Sequence, residues 1–543
     1  MPKNIALAFG LKIETHAGRI PKEILDFLRS AGGHSLIIKG EAGTGKTTLA
    51  LQIVEELMEE EANYYLSSRV SDEALYRQFP WLKEKSRRDS ILRASKAFLK
   101  RTRPPHAKEA ESVPKDATLR AAMELLKVLA KSETVATVVR SELQKLEGQI
   151  ESGELGEEES ERYGAEFVDG SIILDLGVLL PELELAYDLA ESNLPKKTLV
   201  VIDSIDGLSE KYGILSNRII NTLQKDLVDH SSTNIIYVLE SGGKTNLDYL
   251  GDGVVVLRNE ERRGRRVRHL IIEKMRGSRI EKWRYLFTLA DGRMKTFEQT
   301  QVMIPEVMKR HSPVEDPSDS TVSTGIADFD RVIGGLPKGG LVFFEFGPDI
   351  PQEVIECIEL TIVADFISKK RGVVWYPLRS LNYPTLDGQI NMLVSKDKIS
   401  KCLKVLDASG IDAGYPFVSI IEGNDASNDL RWDSLSYLLS NASKPFISIL
   451  GYDAMESQYG NDVFRNTHAF IDTMRREGNI VLAEATEVST SFAALAHRSQ
   501  LHIQIESIDG TVMFCGIKPY TPYYGIEFEI TEGLPRVELI PMV

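Results

Sequence analysis

The sequence predicts an α/β protein made of two tandem doubly wound, mostly parallel sheets, the first with a helical insertion. Three observations carry that expectation. Short apolar runs alternate with helical stretches, as strands joined by crossover helices do. The second half opens on the same plan as the first, and repeats are sought before single motifs are read. The 543 residues are 42% hydrophobic and 27% charged, enough to bury more than one core and too many for a single small module.

The first strand, loop and helix are read from SLIIKGEAGTGKTTLALQIVEEL at residues 35–57. The loop fits G-x-x-x-x-G-K-T from Gly40 to Thr47, so Gly40, Glu41, Ala42, Gly43, Thr44, Gly45, Lys46, Thr47 and Thr48 are the candidate nucleotide-binding set. Glycines let the backbone turn its N–H groups around a phosphate, and the following helix adds its positive N-terminal end. Lys46 would reach the β and γ phosphates, and the Thr47 hydroxyl would ligate Mg²⁺. A phosphate loop needs an acid on a nearby strand to complete the metal site. Asp203, closing the apolar run of TLVVIDSIDGL, supplies it, so Thr47 and Asp203 are the metal pair and ATP and Mg²⁺ the expected cofactors. Further strands are read at 234–241, ending in Glu240, and from Gly253. Ligands of such sheets sit at the strand C-terminal ends.

The phosphate loop, VVIDS and DGVVVLRNEERRGRRVRHLIIEKMRG at 252–277 together resemble the RecA superfamily, in its KaiC and Rad55-like branch. In that branch a basic hairpin leads to K-[LM]-R-G, whose lysine and arginine reach the nucleotide of the neighbouring subunit. The resemblance assigns these roles to Lys274 and Arg276, completing a catalytic set of Lys46, Asp203, Lys274 and Arg276. Two cations supplied across an interface would stabilise charge on the transferring phosphoryl group. One departure matters: the paired glutamates that such proteins place after the second core strand are missing, since ANYYLSS is followed by Arg69, Val70 and Ser71. Glu73 and Glu240 are both candidates to orient water. Slow hydrolysis of ATP to ADP and phosphate, or a switch dominated by binding, is therefore expected. LIIKGEAGTGKTT followed by YYLSSRVS also resembles the archaeal gas-vesicle regulatory P-loop family, GvpD, whose resemblance implies action on a transcription activator.

The insertion spans about 83–166, basic at its start and acidic at its end, with helical spacing over 90–100 and 117–149. It reads as helices projecting from the sheet, either a solvated surface or a partner-binding arm. The arginines Arg258, Arg262, Arg263, Arg265, Arg266 and Arg268, around Gly264, read as a hairpin whose basic tip is either solvated or a binding surface.

The second half begins after a Pro-, Ser- and Asp-rich linker at 299–322. STGIADFDRVIGGLPKGGLVFFEFG at 323–347 resembles the opening of KaiC domains, and GPDIPQEV takes the place of GEAGTGKT. Gln352 replaces a glycine, Glu353 stands where Lys46 does and Val354 where Thr47 does. A carboxylate in place of the lysine repels a triphosphate, and valine removes the metal-binding hydroxyl. Gly451 falls at the acidic position with Asp453 near it, and Lys518 is kept while Tyr520 replaces the arginine. The domains read as 1–298, an active RecA-like unit, and 323–543, a degenerate one without ATP hydrolysis.

A net charge of −15 opposes non-specific binding to nucleic acid or anionic membranes. Cys357, Cys402 and Cys515 are too few and too dispersed for a disulfide framework or a cysteine-rich zinc site, and no apolar run reaches membrane-spanning length. With no leader-like N-terminus, a cytoplasmic protein without membrane insertion is expected. The leading expectation is an ATP-binding regulatory ATPase that switches a protein partner, such as a transcription regulator, with a homo-oligomer left open. The alternative is a DNA-associated recombination or repair ATPase of the Rad55 type.

Overall fold

The computed structural model describes residues 19–68, 72–79, 165–168, 171–174, 181–302, 309–408, 414–531 and 534–543. The helical insertion expected over 83–166 falls almost wholly outside them. The chain divides into two units, Met1–Glu261 with Val267–Thr296, and Arg262–Arg266 with Phe297–Val543.

Among its described residues the first unit carries ten strands: β1 Ser35–Gly40, β2 Ala62–Ser67, β3 Ala165–Val168, β4 Ser171–Leu174, β5 Thr198–Asp203, β6 Asn234–Leu239, β7 Gly253–Arg262, β8 Arg265–Met275, β9 Arg284–Thr288 and β10 Lys295–Thr296. Eight form one sheet in the order β10-β9-β8-β7-β1-β6-β5-β2, and β3 and β4 pair separately. The block from β7 to β2 is parallel, and β8-β9-β10 extends it antiparallel. Successive side chains of a strand point to opposite faces, and a parallel sheet buries both. Leu36 and Ile38 accordingly pack with Leu49, Ile53 and Leu57 of the helix Lys46–Leu57, while Ile37 packs with Val200, Ile202 and Ile219 on the other side. Truncating any one of these core residues to alanine would cost about 2–5 kcal/mol. That rigid base holds the loop between β1 and the helix.

The second unit repeats the plan with β11 Thr321–Val322, β12 Leu336–Pro337, β13 Leu341–Phe346, β14 Arg371–Tyr376, β15 Leu403–Asp407, β16 Val418–Ile420, β17 Ser443–Gly451, β18 Ile480–Thr486, β19 Leu501–Ile508, β20 Thr511–Lys518, β21 Tyr524–Thr531 and β22 Leu534–Pro541. Its ten-stranded sheet runs β16-β15-β14-β17-β18-β13-β19-β20-β21-β22. The segment β20-β19-β13-β18-β17-β14 has the strand order of β8-β7-β1-β6-β5-β2, so the two units are tandem RecA-like sheets. Of the segment read as a linker, residues 309–322 are built into this unit. Val314 donates its N–H to Asp365, and Asp316 takes Lys369 and Arg371 at 3.0 and 2.5 Å. Burial works against the Asp316 charge, but those two cations hold its carboxyl far below the usual range. Composition showed the Pro, Ser and Asp; it could not show cations more than fifty residues away.

Two carboxyls meet under the helix Gln352–Ser368. Glu359 on that helix and Glu484 on β18 are both fully buried, and the Trp375 indole donates to Glu359 at 3.4 Å. Burial raises both, Glu484 furthest because it also feels the charge of Glu359, while Glu356 one turn away adds to the repulsion on Glu359. A carboxyl raised in the folded state binds its proton more tightly there than in the unfolded chain. Stability therefore falls as pH rises above 4.5 toward the folded value. Replacing Glu484 by glutamine is expected to stabilise the second unit by about 1–3 kcal/mol at pH 8 and to flatten its pH dependence. Thermal unfolding between pH 5 and 9 checks this; a variant less stable than wild type at pH 8 would refute it.

Candidate functional site

The phosphate loop is shaped from inside by its own residues. Gly43 and Gly45 have φ of +75° and +101°, which favours glycine, and a Cβ on Gly40 would stand 2.5 Å from the Leu257 carbonyl. The buried Thr44 hydroxyl donates to the Glu41 carbonyl at 2.8 Å and closes the turn. Lys46, only 4% exposed, donates to the Gly40 and Glu41 carbonyls at 2.9 and 2.8 Å and pairs with Glu240 at 2.9 Å. A buried ammonium demands such a carboxylate. Glu240 closes the strand run adjoining β1, and its own N–H donates to Asp206 at 2.7 Å.

The Thr47 hydroxyl donates to Asp203 at 2.7 Å, and so does the Tyr65 hydroxyl, also at 2.7 Å. Asp203 arrives there because β5 lies in register with β2 and β6 and ends opposite Ser67 and Val238. Burial pushes its carboxyl above the ordinary 3.8, against the pull of the Thr47 and Tyr65 hydrogen bonds. The same burial, with the charge of Asp203, raises Tyr65 well above its usual range and keeps it a donor. Behind Asp203, Ser204 caps the helix Ile205–Tyr212 by accepting from the Gly207 N–H. The loop residues, Lys46, Thr47 and Asp203 thus converge at the C-terminal ends of the parallel strands.

Lys274 and Arg276 lie elsewhere. β8 runs back antiparallel, so its end faces the start of β1, where Asp252 bonds both Ser35 and Arg276. Arg276 also donates to the Tyr249 carbonyl at 3.1 Å, and Lys274 donates to the Gly251 carbonyl at 2.5 Å. Neither is brought to the phosphate loop of its own chain. Lys518 of the second unit does the same local work, donating to the Ala496 carbonyl at 2.5 Å. Lys274 and Lys518 thus each hold backbone carbonyls within their own unit.

Several residues that shape the site were not singled out from the sequence. Tyr65 lay unnoticed in a strand, and Arg268, read only as one of a basic tract, donates to the Gly43 carbonyl at 3.2 Å. Lys39, fully buried, pairs with Asp248 at 2.6 Å and Glu273 at 3.3 Å, and so ties the segment after β6 to β1. The one available signal was a lysine inside an otherwise apolar strand. Of the two candidates for orienting water, Glu240 stands beside Lys46, whereas the Glu73 side chain lies outside the described residues.

The corresponding place in the second unit is built differently. Gly451 pairs with Glu484 as Asp203 pairs with Val238, and Asp453 holds the Thr486 N–H and hydroxyl much as Asp206 holds Glu240. Asp453 is therefore the counterpart of Asp206 and not of Asp203. A Cβ on Gly451 would stand 2.2 Å from the Leu378 Cα, so main chain fills the space of the missing carboxylate. Glu353 is exposed at the helix start and Val354 is buried.

Residues 24–273 match the family described as GvpD gas vesicle protein, P-loop domain. The GvpD match includes the phosphate loop, Asp203 and most of the hairpin, and stops one residue before Lys274. Over the whole length, the chain is 23% identical to Protein GvpD2 of Halobacterium salinarum, covering 97% of this chain and 98% of that one. Protein GvpD1 of the same organism is also 23% identical, over 58% of this chain and 70% of its own length. These matches support a relation of the first unit to the RecA-like P-loop ATPases. Among the described residues, no helix is long and apolar enough to cross a membrane.

Proposed function

We propose that this chain is a cytoplasmic regulatory protein of a gas-vesicle system, which binds Mg-ATP in its first unit, hydrolyses it slowly and thereby switches a protein partner. The second unit keeps the fold as a scaffold without nucleotide. The observation that carries this reading is the contrast between equivalent places. Thr47 bonds Asp203 at 2.7 Å in one unit, while in the other Val354 is buried and Leu378 main chain stands where a Cβ on Gly451 would be. An Mg²⁺ ion needs the first donor set and finds nothing in the second. With nucleotide bound, Lys46 would exchange Glu240 for phosphate oxygens, Thr47 and Asp203 would hold the metal, and the loop N–H groups would take the remaining charge. Glu240, released beside the phosphate, becomes the base that orients water. Arg276, exposed beside Asp252 at the start of β7, would act on a neighbouring copy's nucleotide.

Titration of the full chain with a fluorescent ATP analogue and Mg²⁺ is expected to show one site per chain. Two sites would overturn the scaffold role of the second unit, and none would overturn nucleotide binding. Glu240→Gln removes the carboxylate that competes for Lys46, so binding is expected to strengthen several-fold while turnover falls by about 100-fold or more. Unchanged turnover in that variant would return the role of base to Glu73. A protein partner is preferred to DNA because four of the six hairpin arginines are engaged within the fold. Salt-sensitive retention of labelled DNA would reverse that preference.

A further inference from the structure

Beyond β6 the first unit keeps its chain beside the phosphate loop. Glu240 pairs with Lys46 at 2.9 Å, and two residues on, Gly242 lies against Glu41. A Cβ on Gly242 would stand 3.2 Å from the Glu41 Cγ and 3.7 Å from its main-chain nitrogen, so glycine lets the two segments run in contact. The Gly243 carbonyl then accepts from the buried Lys39 ammonium at 3.2 Å. Past it, Thr245 donates its N–H and its hydroxyl to Asp248 at 3.0 and 2.9 Å, and Asp248 pairs with the same Lys39 at 2.6 Å. Lys39 precedes Gly40 on β1, so one buried ammonium ties both sides of this turn to the strand that opens the phosphate loop.

Lys244 is left between the two pinned residues. It is exposed, and among the described residues it makes no hydrogen bond or ion pair. It stands at most about 7 Å of main chain from Gly242, a distance that the flexible four-carbon stem of a lysine can cover. Phosphoryl groups held at a loop of this kind concentrate negative charge, which cations aimed from neighbouring segments stabilise. Lys274 and Arg276 are not among those cations in their own chain, because they bond main chain and Asp252 near the start of β1. Lys244 is on the segment that touches the loop at both Lys46 and Glu41.

We propose that Lys244 is a second phosphate-binding cation of the first unit, supplied by the same chain, and that it reads the γ-phosphate and so makes the site prefer ATP to ADP. This rests on the reading of the first unit as the nucleotide site. The γ-phosphate is favoured because Glu240, at the start of the same segment, stands at Lys46, the residue that spans the β and γ phosphates. Glu41 is the competing partner, since its Oε1 lies 3.9 Å from the Cβ position of Gly242. A lysine that served Glu41 alone would steady the loop and affect ATP and ADP alike, whereas one that reads the γ-phosphate affects ATP.

Calorimetric titration of the full chain with ATP and with ADP, each with Mg²⁺, separates the two. Lys244→Met keeps the stem and loses the charge, and it is expected to bind ATP roughly tenfold more weakly and ADP within about twofold of wild type. Lys244→Arg keeps a cation and should recover most of the ATP affinity. Lys196→Met, an exposed lysine before the start of β5 at the opposite end of the sheet, should leave both affinities unchanged. Wild-type ATP affinity in Lys244→Met, or equal weakening of ATP and ADP, would overturn the inference. A wild-type chain that binds neither nucleotide would instead overturn the reading of the site on which it rests.

Discussion

Lys46→Ala is expected to weaken Mg-ATP binding by roughly 100-fold or more, the loss that follows when a buried charged donor aimed at phosphate is removed. The side chain is 4% exposed, so water does not take its place. The variant also strips Glu240 of its cation at 2.9 Å, leaving a carboxylate facing the phosphates. Attraction becomes repulsion, and the two effects act in the same direction. The double variant Lys46→Ala with Glu240→Gln should recover part of the binding, because the repulsive half of the loss is then gone. Calorimetric or fluorescence titration of both variants measures this. Binding by Lys46→Ala within threefold of wild type would refute the assignment of the loop.

Asp203→Asn is expected to lower turnover by about 100-fold while leaving metal-free nucleotide binding largely intact. Asparagine keeps the shape and one oxygen to accept from Thr47 and Tyr65, so the fold around it persists. What it loses is the charge that holds Mg²⁺ and its water. The carboxyl also makes a pH prediction. Burial raises it above 3.8, so on acidification it takes up a proton sooner than an exposed aspartate, and a protonated carboxyl does not hold the metal. Apparent Mg²⁺ affinity should therefore decline with falling pH at a midpoint above 3.8, and the decline should vanish in Asp203→Asn. The stability linkage has the same origin: a raised carboxyl stabilises the fold less as pH climbs from 3.8 through the folded value. Equal magnesium dependence in variant and wild type would sink the metal assignment.

Much of this site was legible as local pattern. The glycine spacing from Gly40, Lys46 and Thr47, and an acid after the apolar run ending at Asp203, are constraints that act within a few residues of the chain. Strand and helix around them follow from apolar periodicity, as does the second sheet from the repeated opening at 323–347. The partners of those residues were not legible. Glu240 is 194 residues from Lys46 and Tyr65 is 138 from Asp203, and each pair meets only because of strand order. The basic hairpin shows the limit most clearly. Six arginines read alike on paper, yet the fold commits Arg262, Arg263 and Arg265 to the second unit and Arg268 to the phosphate loop.

The sequence alone determined that the first half has the residues to hold a nucleotide and that the second half lacks their counterparts, since a lysine replaced by Glu353 and a threonine by Val354 change the chemistry wherever the chain goes. Tertiary structure alone decided which charges meet. It set Glu240 against Lys46, kept Lys274 and Arg276 from their own chain's loop, and brought Leu378 against Gly451, because a side chain's partner is fixed by strand order and register, which join residues far apart in the chain.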